Sequence, residues 1–239
     1  MSPVPFFIVL ISAMSLMNGC ASNTPPEASK SPEDLYRDAI LDAMVADDDE
    51  RSTSLVYIRR DNPNLVWSDI GGEQRVLVTT WTAWDTNHSA AQSAKATYDM
   101  WVTTVPEVKT WWHTRYDGRT DTTLRLEQLL GLAPGRKKTH FLLAWVRPSD
   151  MFRPAGDSEI DDATASSELP TTADSSYRTW FNSSIIYSYF PKTSPWTRLG
   201  YTYDWNRQYG EQGASEFIVR KGAELIIHSV QKTSEYLRK

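Results

Sequence analysis

Tyr201, Tyr203 and Trp205 occupy alternate positions in the segment Pro195–Trp205, with Trp196 and Arg198 ahead of them and Asp204 between the last two. On a β-strand, a period of two puts those three rings on one face and Thr202 and Asp204 on the other. A row of rings can stack on sugar faces while Arg198 and Asp204 bond hydroxyls. The same residues also read as core, with the rings packed inside and Arg198 paired to Asp204. Regularly spaced aromatic stripes are more often core than platform. Trp196, Arg198, Tyr201, Tyr203, Asp204 and Trp205 are thus the candidate binding residues.

Other chemistry is sparse. The four histidines, His88, His113, His140 and His228, have no metal-site spacing of the HExxH kind. The acidic run Asp47-Asp48-Asp49-Glu50 lacks the alternation and glycine of a calcium loop. No metal or cofactor is therefore expected. A nucleophile elbow GxSxG is missing. A glycosidase-like pair needs two acids ~5–9.5 Å apart in a cleft; Glu107, Asp150, Asp157, Glu159 and Asp204 are candidates by location, with His113 beside Trp111 and Trp112 as a possible partner. Arg147-Pro148-Ser149-Asp150-Met151-Phe152-Arg153-Pro154 reads either as a rim for an anion or as a rigid turn pinned by an Arg–Asp bond.

The one cysteine, Cys20, follows an uncharged run, Val4 to Met17, of fourteen residues. That length suits a secretory signal, since a spanning helix needs about 18 or more apolar residues. Leu16-Met17-Asn18-Gly19-Cys20 resembles the lipobox of bacterial lipoproteins, with Met17 where the family usually carries Leu. The resemblance implies cleavage before Cys20 and attachment of a diacylglyceryl thioether to its sulfur, usually with an acylated amine. Two or more chains hold a protein stably at a bilayer, whereas one does so marginally. Ala21, being non-acidic, implies by the same analogy passage to the outer membrane, with the body facing the periplasm.

The lipid bilayer is thus the first expected partner. With the only cysteine assigned to lipid, the body must hold together without a disulfide. Residues 33 to 50 carry eight acids against Arg37, while from Arg51 onward 23 basic residues face 21 acidic ones. That near-neutral body lacks the basic stripe that nucleic acid would require. Ten tryptophans and eleven tyrosines are heavy for 239 residues, so a core or a binding face must be aromatic.

The elements that must position these residues follow from caps and periods. Residues 1–19 form the signal, 20–30 a small, polar, proline-containing tether, and 31–239 one globular domain. Ser31-Pro32-Glu33-Asp34 starts a helix expected to end near Ala46. Ser54–Arg59, Asn64–Asp69, Arg75–Thr82 and Tyr98–Val105 read as strands. Asn87 to Ala96 reads as an exposed loop or short helix. Pro106-Glu107 opens a helix to about Tyr116. Asp121 caps another over Thr122–Leu130, closed by Gly131 and Leu132.

Thr139–Val146 is nearly all apolar and predicts a central strand. Pro148 to Ser176 is a long polar stretch without a periodic pattern. Asp174 or Ser175 caps a helix whose Tyr177, Trp180, Phe181 and Ile185 share a face. Ser215–Arg220 and Ala223–Val230, across Lys221-Gly222, predict a terminal hairpin. The fold class expected is α+β, a single domain with a mainly antiparallel sheet and about four helices. Leu126–Leu132 and Pro195–Trp205 are similar to phrases in bacterial exported proteins, which implies no activity.

Two functions fit. The first is a membrane-anchored lipoprotein whose periplasm-facing domain binds an envelope protein or glycan, or serves structurally. The second is a tethered hydrolase acting on envelope glycan or peptide, with acids from the Pro148–Ser176 loop and His113. A cleft gathering His113 with two carboxylates would distinguish the second.

Overall fold

A computed structural model describes residues 30–84 and 91–238. Cys20, the lipobox, most of the tether and His88 lie outside the described residues. Within them the chain is an α+β fold with five helices and a mainly antiparallel sheet of eight strands.

Helix α1, Pro32–Asp42, begins as its sequence demands: the Ser31 hydroxyl accepts the Asp34 amide at 3.1 Å, and Glu33 and Asp34 sit at the positive end of the dipole. It ends earlier than Ala46, and Asp48–Glu50 folds instead into a short 3-10 turn. The large sheet runs in the order β3 (Ser93–Lys95), β10 (Glu224–Lys232), β5 (His140–Val146), β2 (Glu73–Thr82), β4 (Met100–Thr104), β9 (Phe217–Val219), β6 (Met151–Phe152), with β1 (Trp67–Ile70) paired to β2. β5 is central, as its apolar run predicts, lying between β10 and β2. A separate pair joins β7 (Tyr201–Tyr203) to β8 (Gln212–Ser215).

Two expected strand features are corrected. Ser54–Arg59 joins no sheet; it is an extended leg whose Leu55 and Ile58 amides bond the carbonyls of Ala163 and Ile160. The terminal hairpin does not form either. β9 pairs with β4 and β6, while β10 pairs with β3 and β5. Four strand spacings of ~4.8 Å would part β9 from β10 in a flat sheet, about 19 Å. The link from Val219 to Glu224 reaches ~17 Å at most when fully extended. The sheet must therefore curl until its ends draw together. The Gly222 amide bonds the Ala96 carbonyl at 2.8 Å on one side of that closure.

One face of the curled sheet is filled by Val76, Val78, Val102, Ala144, Phe217 and Val219. The other carries two separate apolar clusters. Leu77, Trp81, Phe141 and Leu143 pack under α2 (Glu107–Arg115), α3 (Thr122–Leu129) and the short α5 (Thr233–Tyr236). Phe152, Trp196 and Ile218 pack under α1 and α4 (Ser175–Tyr189), from which Tyr177 and Phe181 are buried. The seam between these clusters becomes a groove.

Candidate functional site

The groove lies over the sheet where the two clusters part, and encloses about 500 Å³. Its floor follows from register. Thr79 on β2 pairs with Thr103 on β4, and Val102 pairs with Phe217 on β9, so Glu216 comes level with Thr103. Alternation then puts Thr79, Thr103 and Glu216 on one face with Trp81 and Trp101. Trp81, Phe141 and Leu132 wall one side, and Trp196 and Tyr203 the other. At the mouth Trp101, Tyr98 and Tyr187 are 39%, 57% and 72% exposed. Trp101 meets Trp196 edge-on, with ring centroids 6.3 Å apart.

Glu216 is the unusual member of this lining. Its Oε2 is buried without a hydrogen-bond partner, and burial alone pushes its carboxyl up to about 8. Lys138 also lines the groove. Its ammonium donates to the Trp81 carbonyl at 2.8 Å, and burial, reinforced by Arg136, lowers its pKa. A second acid, Glu107, lies in the first turn of α2, and burial raises its carboxyl to about 7. Its Oε1 accepts the Ser215 amide at 2.7 Å.

The structure separates the six residues singled out in the sequence. Trp196 and Tyr203 line the groove. Tyr201 and Trp205 are core: the Tyr201 hydroxyl donates to the Glu50 carbonyl at 2.9 Å and the Trp205 indole to the Leu132 carbonyl at 3.0 Å. β7 stops at Tyr203, because Asp204 starts a turn in which its carbonyl accepts the Arg207 amide at 3.0 Å, so the three rings do not form one strand face. The expected Arg198–Asp204 pair is replaced. Asp204 is held by Arg125, and Arg198 donates to the Met44 carbonyl at 3.0 Å with its guanidinium over Tyr189.

The residues expected of a hydrolase do not converge on the groove. His113 sits on α2 with a buried, unpartnered Nε2. Asp150 is bound by Arg147 at 2.7 Å, which is the pinned turn rather than the anion rim. Asp157 and Glu159 border a second, polar hollow with Asp174 and Arg220. There Asp157 accepts the Ser166 amide, while Asp174 is committed to capping α4 and is held below the usual carboxylate range, chiefly by the Ser176 hydroxyl. His113 does not line that hollow.

Sequence reasoning missed Glu216, Lys138 and a convergent acid cluster. Oxygens of Asp42, Glu50 and Glu211 lie within 4.8 Å of one another, a set able to ligate a cation. Arg207 already bonds Asp42 and Glu211, the Tyr203 hydroxyl donates to Asp42, and Glu211 is raised to about 7 by burial and by Glu50. The available signal for Glu216 was one acid opening the otherwise apolar run Glu216-Phe217-Ile218-Val219. Among the described residues no helix is long and apolar enough to cross a membrane. No family model, curated protein or solved structure matches the chain.

Proposed function

We propose that this chain is a membrane-anchored envelope lipoprotein, held at the outer membrane through acylated Cys20, whose periplasm-facing domain binds an envelope component in the aromatic-walled groove. The observation that carries the binding part is the groove itself. A concave, mostly apolar site with a few placed polar groups is the usual form of a small-molecule site, and its size falls within the ordinary range of ~300–1,000 Å³. The anchor rests on the lipobox-like residues alone.

The two parts are compatible in space. The Tyr36 hydroxyl on α1 donates to the carbonyl of Thr193, a residue of the groove lining, at 2.8 Å. The first described helix therefore stands beside the groove, and ten tether residues reach at most ~35 Å.

Two measurements test the proposal. Cys20→Ser should abolish labelling by a fatty-acid probe and release the protein from membranes; unchanged labelling rejects the anchor. Lipid-soluble and water-soluble envelope extracts, added separately to the extracted protein, should alter its tryptophan fluorescence in at least one case. Trp101→Ala should remove that response, and a folded protein silent to both extracts rejects the groove as a binding site.

A tethered hydrolase acting on envelope glycan or peptide is the second reading. Glu216 favours it, since a carboxyl raised towards neutrality in a cleft suits a general acid. Against it, Glu216 is the one carboxylate in the groove lining among the described residues.

A further inference from the structure

Resting on the binding reading above, we propose that the groove selects an organic cation, a primary or secondary ammonium on an apolar body, with the ammonium donating to Glu216. The missing partner of the buried Oε2 defines the head group. A buried acceptor left unpaired is costly, and an ammonium that displaces the Glu216 proton to solvent restores more than a neutral donor, because the charge-assisted bond it forms with the carboxylate is roughly twice as strong. The walls discriminate in the same sense. Trp101, Trp196 and Tyr203 offer indole and phenol rings whose negative faces attract a cation and repel an anion.

The body of the ligand is set by the apolar part of the lining. Three hydroxyls of the lining are already committed to backbone carbonyls: Thr79 to Leu142, Thr193 to Tyr187 and Thr202 to Leu129. An apolar body asks nothing of them and covers Trp81, Met100 and Phe141 instead.

Lys138, the other charged side chain of the lining, does not oppose this assignment. Its ammonium is fixed on the Trp81 carbonyl, two strand spacings from the approach to β9 and two residues along from Thr79. That places it roughly 12 Å from Glu216, too far for an ion pair, and burial alone accounts for the raised Glu216 carboxyl.

The test uses full-length protein extracted from membranes and four probes: phenethylammonium, the neutral 2-phenylethanol, the anionic 3-phenylpropanoate and a chitin oligosaccharide. Calorimetry should rank phenethylammonium at least tenfold tighter than the alcohol, with the other two weaker still. Glu216→Gln should remove that preference and leave the alcohol unchanged, while Trp101→Ala should weaken both. Equal binding of ammonium and alcohol, or a preference that survives Glu216→Gln, overturns the ammonium assignment and leaves the groove as a binding site. Tightest binding of the oligosaccharide or the anion also overturns it. Silence towards all four by a protein with a normal melting curve overturns the ammonium assignment, while the binding reading stands or falls on the envelope extracts. Should Glu216→Gln fail to fold, the ammonium-to-alcohol ratio of the unaltered protein decides.

Discussion

Arg125 and Asp204 face each other as a fork, guanidinium to carboxylate, with both side chains buried and the Trp111 ring 4.4 Å from the guanidinium carbon. One nitrogen–oxygen contact of the fork is 3.0 Å. The pair ties α3 to the end of β7. Beyond α3 the chain supplies Leu130, Gly131 and Leu132 to the groove wall, so the fork fixes that wall against Tyr203.

Arg125→Ala should therefore destabilise the protein by ~3–5 kcal/mol, because it leaves a buried carboxylate without its counter-charge, held only by the Asn206 amide. Asp204→Asn, which keeps the shape and an acceptor, should cost less. Replacing both with Arg125→Met and Asp204→Leu should recover much of the loss, since two apolar groups have no charge to bury. Urea midpoints at constant slope would check the order. A double variant weaker than Arg125→Ala would count against the fork as the source.

The buried acids set a pH dependence. Glu107, Glu211 and Glu216 are raised from an ordinary 4.5 to about 7, 7 and 8. Between pH 5 and 7 the folded chain therefore holds protons that the unfolded chain has released. Their stabilising contribution is complete below pH ~4.5 and is lost as the pH rises through 7 and 8. The exposed carboxylates held low, such as Glu73 and Glu224 beside Arg75 and Arg147, act below that window. Thermal unfolding should show a lower Tm at pH 9 than at pH 6. Glu216→Gln, which cannot ionise, should flatten the curve above pH 7, and an unchanged slope there would rule out Glu216 as a contributor.

What the sequence made legible was local. Asp121 accepts the amides of Thr123 and Leu124, and the Leu132 amide returns to Glu127 at 2.8 Å, so both ends of α3 are written within a dozen residues. β5 was legible because burial on both faces leaves an unbroken apolar run. The groove was not, because Glu216 reaches Thr103 through a register set over more than a hundred residues. The hairpin reading failed for a related reason. A glycine turn between two apolar runs permits pairing, but each run found its partners elsewhere in the curled sheet. Asp42, Glu50 and Glu211 met for no reason that spacing displays.

Two glycines should respond to alanine in opposite proportion to their conformational demand. Gly131 has φ +61° and ends α3, yet a Cβ there would approach nothing closer than the Tyr203 amide at 3.3 Å. Gly213 needs no unusual φ, but a Cβ there would overlap the Leu129 carbonyl and the Thr202 hydroxyl. Gly131→Ala should cost ~1 kcal/mol, the usual penalty for a side chain in the left-handed region. Gly213→Ala should cost several-fold more, since rigid backbone must move. Thermal melts of the two variants would show the order, and the reverse would mean that β8 shifts freely.

Arg153 organises the long stretch that had no pattern in the sequence. It is fully buried, and its guanidinium donates to the carbonyls of Val56, Glu159 and Asp162 at 2.9 to 3.1 Å while lying over Phe217. Those bonds gather the Ser54–Arg59 leg and residues 156–165 around one cation. Arg153→Met fills similar space but leaves three carbonyls unpaired, each at a cost of ~1–3 kcal/mol where water cannot replace the bond. The expected result is local opening: proteolysis within 156–172 should accelerate well before the global transition. The consequence should reach the groove, because the Trp196 indole donates to the Pro154 carbonyl at 3.0 Å and the Tyr177 hydroxyl to that of Arg153 at 3.0 Å. Loosening this segment frees the Trp196 wall, so Arg153→Met should weaken phenethylammonium binding without changing its preference over 2-phenylethanol. Faster cleavage with unaltered affinity would show that the loop and the groove wall are independent.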